Sequence, residues 1–282
     1  MKPGRRWRRR RLLNTVMLGC AATAAALTVS VLLLLLGFLV YKGGSSLTWA
    51  FFTQLPKPVG EAGGGMANAI VGSLKLLLLA AAVGLPTGFM AGLYVSEFAS
   101  RPMATAVRYT ADLLNGVPSI VVGIFVYTVI VIPMGHFSAL AGGAALGVMM
   151  IPIMARSTEE FLRAVPQPLR EASLALGAGR VATIVRVVVP AASRGILTAA
   201  MLGLARVAGE TAPLLFTALG NRFWSSGFGQ PTASLPVMIF TYATSPYEEW
   251  HAQAWAAGLV LLAFVLLANV AARLLVPRRS AS

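Results

Sequence analysis

The 282 residues are 57% hydrophobic and only 11% charged, with a mean hydropathy of +0.77; a soluble domain carries about 25% charged residues, so an ordinary soluble enzyme is excluded and a polytopic membrane protein is indicated. The net charge of +14 does not point to nucleic acid, because the basic residues are not spread over a foldable surface with interleaved aromatics. Cys20, the single cysteine, excludes an intrachain disulfide framework and reads as filler in the first apolar run.

A hydrocarbon core of about 30 Å needs roughly 20 helical residues, and runs of that order predict an all-α fold with six transmembrane helices. Residues 1–11 hold Lys2, Arg5, Arg6, Arg8, Arg9, Arg10 and Arg11, while Arg273, Arg278 and Arg279 lie at the other end. Lysine and arginine beside membrane spans stay in the cytoplasm, so both termini are placed inside, including the short tail 277–282. The first span, within 12–40, far exceeds the roughly 7–15 apolar residues of a cleavable signal. With its glycine- and proline-rich outer loop it makes up residues 12–66.

Residues 67–276 form the predicted core. A second span, 67–95, carries Lys75 near its outer end, where snorkelling is the ordinary reading and a place in a permeation path the alternative. Glu97, Arg101, Arg108 and Asp112 read as a short inner loop. The third span, 114–132, opens on Asn115, Pro118 and Ser119, with the two polar residues read as helix caps. The fourth, 137–154, is rich in Gly142, Gly143 and Gly147, which predicts close packing among its neighbours. An inner segment, 155–191, precedes the fifth span at 192–219. The outer segment 220–252, flanked by Trp224 and Trp250, carries a Ser234–Ile239 run that lies in the interface or dips into the protein, and the sixth span covers 253–276. Counting Arg194 and Arg273 at the inner ends of their spans, this topology leaves eighteen of the 23 basic residues on the inner side against Lys42, Lys57 and Arg222 outside.

Inside the fifth span, Arg206 near mid-membrane and Glu210 four residues on share one helical face. An arginine at that depth costs at least about 2.5–3.5 kcal/mol on insertion scales, so it should face protein or water. Two readings stay open: a structural ion pair, or a guanidinium that offers its planar fork to a tetrahedral oxyanion while the carboxylate tempers the grip.

The inner segment centres on Glu171, Ala172 and Ser173, with Gly177 six residues after the glutamate and Val187, Val188, Val189 and Pro190 closing it. Small residues followed by a glycine turn suit docking into a partner's groove. The spacing resembles the cytoplasmic loop of ABC importer permeases, with Glu-Ala-Ser and Val-Val-Val-Pro as mild departures. Gly-Val-Pro-Ser-Ile-Val in the third span, Ala-Arg-Val-Ala-Gly-Glu-Thr-Ala-Pro in the fifth and Ser-Leu-Pro-Val in the outer segment are similar to the A-type permease family of phosphate ABC importers. That resemblance implies the type I importer permease fold in a bacterial cytoplasmic membrane. It implies Arg206, Glu210 and Thr211 as substrate-pathway residues, and Glu171, Ala172, Ser173 and Gly177 as ATPase-coupling residues. It further implies a homologous second permease, two copies of a cytoplasmic P-loop ATPase and an extracytoplasmic phosphate-binding protein.

The remaining residues argue for no chemistry of their own. No Gly-x4-Gly-Lys-Ser/Thr run is present, and the Gly177-Ala-Gly179 stretch follows no strand. His136 and His251 lack partners at metal-ligand spacing, so no metal or cofactor is expected. Glu159, Glu160, Glu248 and Glu249 read as solvated pairs. An importer permease for molybdate or sulfate and a non-transporting membrane scaffold remain as alternatives.

Overall fold

The structure, a computed structural model, describes residues 5–58, 61 and 63–275; Lys2 and the tail 277–282 with Arg278 and Arg279 lie outside the described residues. Those residues form helices and connections, with no strand among them: α1 (Arg5–Gly44), α2 (Trp49–Thr53), α3 (Ala67–Glu97), α4 (Arg101–Gly116), α5 (Ser119–Val126), α6 (Ile132–Met134), α7 (Ala139–Arg163), α8 (Gln167–Ala175), α9 (Arg180–Thr183), α10 (Val189–Ala208), α11 (Ala212–Thr217), α12 (Leu235–Ala243) and α13 (Glu248–Leu275). Wider π-helical turns join α5 to α6 over Tyr127–Val131 and α9 to α10 over Ile184–Val188. Five helical stretches are long and apolar enough to cross a membrane, and the count is six when the bent pair of Arg101–Gly116 with Ser119–Met134 is taken as one span.

The centre of the bundle is the pairing of α3 with α7, and it is built on missing side chains. A Cβ on Gly84 would sit 2.8 Å from Met150 Cβ and 2.9 Å from the Gly147 carbonyl; one on Gly88 would sit 2.6 Å from Met154 Cβ. With Gly92 these form an i, i+4, i+8 groove on α3 that receives α7 at backbone distance, the packing by which helices gain dispersion contacts where lipid offers no hydrophobic drive. The small residues of the fourth span therefore do what their composition predicts: α7 is the most buried of the long helices. Leu76, Ala80, Leu146 and Met150, all 1% exposed or less, are its core.

The third crossing differs from expectation. The stretch read as an inner loop is the four-turn helix α4, and the chain then turns by 100° into α5. The cause is local: Pro118 forces Val117 out of the helical region, to φ −69°, ψ 129°, as a residue before proline prefers. Neither Asn115 nor Ser119 caps the span; Pro118 occupies the cap position and no side chain bonds there. The crossing is thus 119–134, which at 1.5 Å per residue spans only about 24 Å, and Gly135 ends it in the left-handed region at φ 73°.

The outer segments are folded onto the bundle. The Ser234–Ile239 run dips inward as α12, with the Leu235 N–H donating to Ser73 Oγ at 2.8 Å and Leu235, Val237, Met238 and Tyr242 buried. The Ala139 and Leu140 N–H groups, orphans at the start of α7, donate to the Gln230 and Phe228 carbonyls at 2.9 and 3.0 Å. Phe51 and Met66 seal the same end. By contrast α1 is exposed along most of its length. Its outer end alone is anchored, by Phe38 edge-on to Trp255 at 5.2 Å and by Gly43, whose missing Cβ admits the Trp255 carbonyl.

Candidate functional site

The fifth crossing is a helix with a break, not the continuous span 192–219. It starts at Arg180, passes the π turn and ends at Ala208. Gly209 is a weak helix former and Pro213 cannot donate to a preceding turn, so 209–211 unwind before α11 restarts at Ala212. The i, i+4 premise for Arg206 and Glu210 is therefore wrong. Glu210 sits in the unwound turn, half-buried, and among the described residues no ion pair or hydrogen bond to the Arg206 side chain is made. The structural-pair reading loses its geometry.

What remains is an uncovered guanidinium at depth. Gly203, three residues before Arg206, faces Met150, which also packs on Gly84. Met150 and Gly84 lie near the middles of α7 and α3, so Arg206 sits about 5 Å along the helix from the central level. Arg194, Thr198, Leu202 and Arg206 follow one i, i+4 ridge of α10 and all are exposed. Another side of α10 borders a groove with α3 and α13 that is apolar except for Asn269, lined by Leu78, Ala81, Leu204, Ala205 and Phe264 among others. One surface of this helix is thus made for lipid. The ridge, with two arginines and a threonine, is made for water or protein. Thr211, half-buried, belongs to the break itself. Lys75 is a different case: its Nζ donates to the Ser225 carbonyl at 2.6 Å, so its charge is held by the outer segment.

At the inner end, α8 carries the residues expected to dock a partner. Its last turn is a Schellman closure, with Gly177 at φ +85°, the Gly177 N–H bonded to the Leu174 carbonyl at 2.9 Å and the Ala178 N–H to that of Ser173 at 3.2 Å; the glycine is there because the left-handed position penalises a Cβ. Glu171, Ala172 and Gly177 are exposed, as are Leu169, Leu174 and Leu176, the last at 90%. Ser173 turns inward instead and shares a 2.9 Å hydrogen bond with Thr183 Oγ1. Arg170 fixes α8 to the bundle, donating to Glu97 Oε2 and to the Leu162 carbonyl, both at 2.7 Å.

Glu159, read from sequence as solvated, is a correction. It is 3% exposed and gathers three guanidinium groups: Arg108 at 2.6 Å, Arg163 at 3.2 Å and Arg156 at 3.4 Å. The hydrogen bond from Arg108 raises that arginine's pKa, against an opposing desolvation effect, with further help from the carboxylate charge. The i, i+3 and i, i+4 placing of Arg156 and Arg163 about Glu159 was a readable signal. Arg108 carries no such signal, because it lies more than fifty residues from Glu159 and reaches it only through the fold of α4.

A helical bundle with six crossings, an exposed arginine near mid-depth and a short helix with exposed leucines at its inner end has the architecture of a membrane permease. Residues 84–281 match the family described as binding-protein-dependent transport system inner membrane component, and the chain belongs to that family. It is 43% identical, over 97% of its length and 92% of the relative's, to the phosphate transport system permease protein PstA of Yersinia pestis, and 44% identical, over 96% and 95%, to that of Xylella fastidiosa strain Temecula1. Among solved structures it shares the fold of a bacterial alginate ABC transporter chain at a TM-score of 0.65, with 15% identity over 97% of both chains.

Proposed function

We propose that the chain is the permease of an ATP-driven importer that moves inorganic phosphate inward by alternating access, with Arg206, Glu210 and Thr211 in the passage. The observation that carries this reading is the exposed guanidinium of Arg206 at membrane depth, which its own chain leaves uncovered. The fork of donors binds two phosphate oxygens at once. Glu210 rides on the unwound turn; when that turn re-forms, its carboxylate approaches the guanidinium and displaces the anion, so entry and release are both met. Relatives named for phosphate transport at 43% and 44% identity support phosphate over molybdate or sulfate, and a scaffold has no use for an unpaired arginine at that depth.

The core is residues 67–276, with coupling loop 155–191 and outer loop 220–252; residues 12–66 are the first transmembrane helix and its outer loop, and 1–11 and 277–282 are cytoplasmic ends. A homologous second permease covers the ridge of α10. Two copies of a P-loop ATPase drive the importer and carry out all the hydrolysis, and one of them docks on α8 around Glu171, Ala172, Ser173 and Gly177. A phosphate-binding protein delivers substrate to the outer loop. ATP-driven closure of the ATPases moves α8, and through Arg170 and Glu97 it moves α3.

Uptake of labelled phosphate by cells, with excess molybdate or sulfate as competitor, tests the substrate; competition by sulfate equal to that by phosphate overturns it. Arg206→Gln is expected to abolish uptake at unchanged membrane abundance, and unaltered uptake would remove Arg206 from the path. Copurification without an ATPase would favour a scaffold.

A further inference from the structure

The arginines around Glu159 exceed what it can neutralise. Arg101, Arg108, Arg156 and Arg163 face two carboxylates, Glu159 and Asp112, the latter 3.6 Å from Arg156, which leaves two positive charges in excess. Three of the four line one recess of about 360 Å³ between the start of α4 and the end of α7, completed by Ala99, Ala104 and Thr105. No acidic side chain lines it among the described residues. Glu159 lies beneath, 4% exposed at its side chain, so its charge is already shared among guanidinium groups. Arg101 is exposed and no described residue holds its guanidinium; Arg163 is half-exposed at 51%. A buried carboxylate outside the lining therefore fixes Arg108 in the wall, and the mouth carries the unneutralised forks.

The level of this recess narrows the ligand. Arg163 is thirteen residues beyond Met150 on α7, about 20 Å toward the cytoplasm, which is the headgroup region. α4 turns by 100° from the crossing that follows and exposes Met103, Tyr109 and Leu113 at 48%, 68% and 72%, the stripe of an interfacial helix. Paired guanidinium forks match a tetrahedral phosphate better than a point charge does.

We propose that Arg101, Arg108 and Arg163 form a cytoplasmic-face site for a phosphate-type anion, supplied either by the headgroup of an anionic lipid or by free inorganic phosphate. The site is separate in position from Arg206 and does not require that the transported ion be phosphate. At the roughly fivefold loss expected per basic residue near a membrane surface, Arg101→Gln weakens binding about 5-fold and the Arg101→Gln/Arg163→Gln pair about 25-fold. Arg101→Gln alone disturbs no internal contact and so guards against misfolding.

The test uses the full chain with its copurifying subunits in nanodiscs. One arm counts retained phosphatidylglycerol by native mass spectrometry in a phosphatidylcholine background. The other measures binding of labelled inorganic phosphate in pure phosphatidylcholine, on an Arg206→Gln background that silences the path. A fall in the first arm identifies a lipid headgroup, and a fall in the second identifies free phosphate. Unchanged binding in both arms overturns the site. Loss of copurifying subunits with both anion readings unchanged also overturns it, since the arginines would then meet an acidic protein surface.

Discussion

Two arginine environments in this chain obey the same electrostatics and end differently. Arg206 has no partner among the described residues, whereas Arg108 is hydrogen-bonded to a carboxylate with 4% side-chain exposure. For Arg108 the raised pKa means the charged form is favoured by folding; its contribution is present at all pH below the ordinary arginine value and is lost only as pH climbs through the raised one, so Arg108 stays charged in a living cell. Glu159 is the member whose loss matters. Glu159→Gln preserves shape but leaves three guanidinium groups around a neutral amide; with partners 27–51% exposed, the cost is reduced from that of a fully buried pair to about 1–3 kcal/mol. A melting temperature lowered by several degrees checks this in purified protein, and an unchanged one shows the cluster to be solvated. Adding Arg108→Gln to Glu159→Gln should recover part of the loss, since the two residues share one bond.

At the scale of the element, α8 shows how a short helix is made into a rigid handle. Its C-terminal turn is closed by Gly177, Ser173 is tied to Thr183, and Arg170 is tied to Glu97 and to the Leu162 carbonyl. Arg180 adds a bond to the Glu97 carbonyl and stacks on Phe98 at 5.1 Å. A rigid handle with leucines on its outer side transmits force only when those leucines are covered, since each buried leucine is worth about 1.5–3 kcal/mol. Leu176→Asp should therefore lower ATPase copurification and uptake together while the subunit still inserts. Gly177→Ala isolates the backbone contribution: its Cβ meets nothing within 4 Å, so any loss reports the roughly 1–2 kcal/mol cost of a left-handed alanine. Equal ATPase retention by wild type and both variants would refute the docking role of this turn.

Across the whole molecule, apolar run length and the bias of basic residues were enough to read the six crossings, because the bilayer sets helix length and the cytoplasm retains arginine. The glycines of α7 were legible for the same reason: close packing needs small residues wherever it occurs. Three features were not legible. The bend at Pro118 and the break at 209–211 each place a helix end inside an apolar run, where hydropathy does not change. The burial of Glu159 depends on α4, more than forty residues earlier, folding across it. The exposed ridge of α10 makes the largest-scale prediction. Thr198 lies midway along it, its hydroxyl bonded only to the Arg194 carbonyl at 2.8 Å, so Thr198→Cys should fold normally in a Cys20→Ala background. A charged, membrane-impermeant thiol reagent should modify this cysteine in one nucleotide state of the assembled transporter and not in another, because alternating access wets the ridge in turn. Leu32→Cys, on the exposed apolar surface of α1, should stay unmodified in both states because lipid excludes the reagent. If Thr198→Cys is as inert as Leu32→Cys with and without ATP, the ridge meets no water, and Arg206 cannot be the residue that hands an anion across.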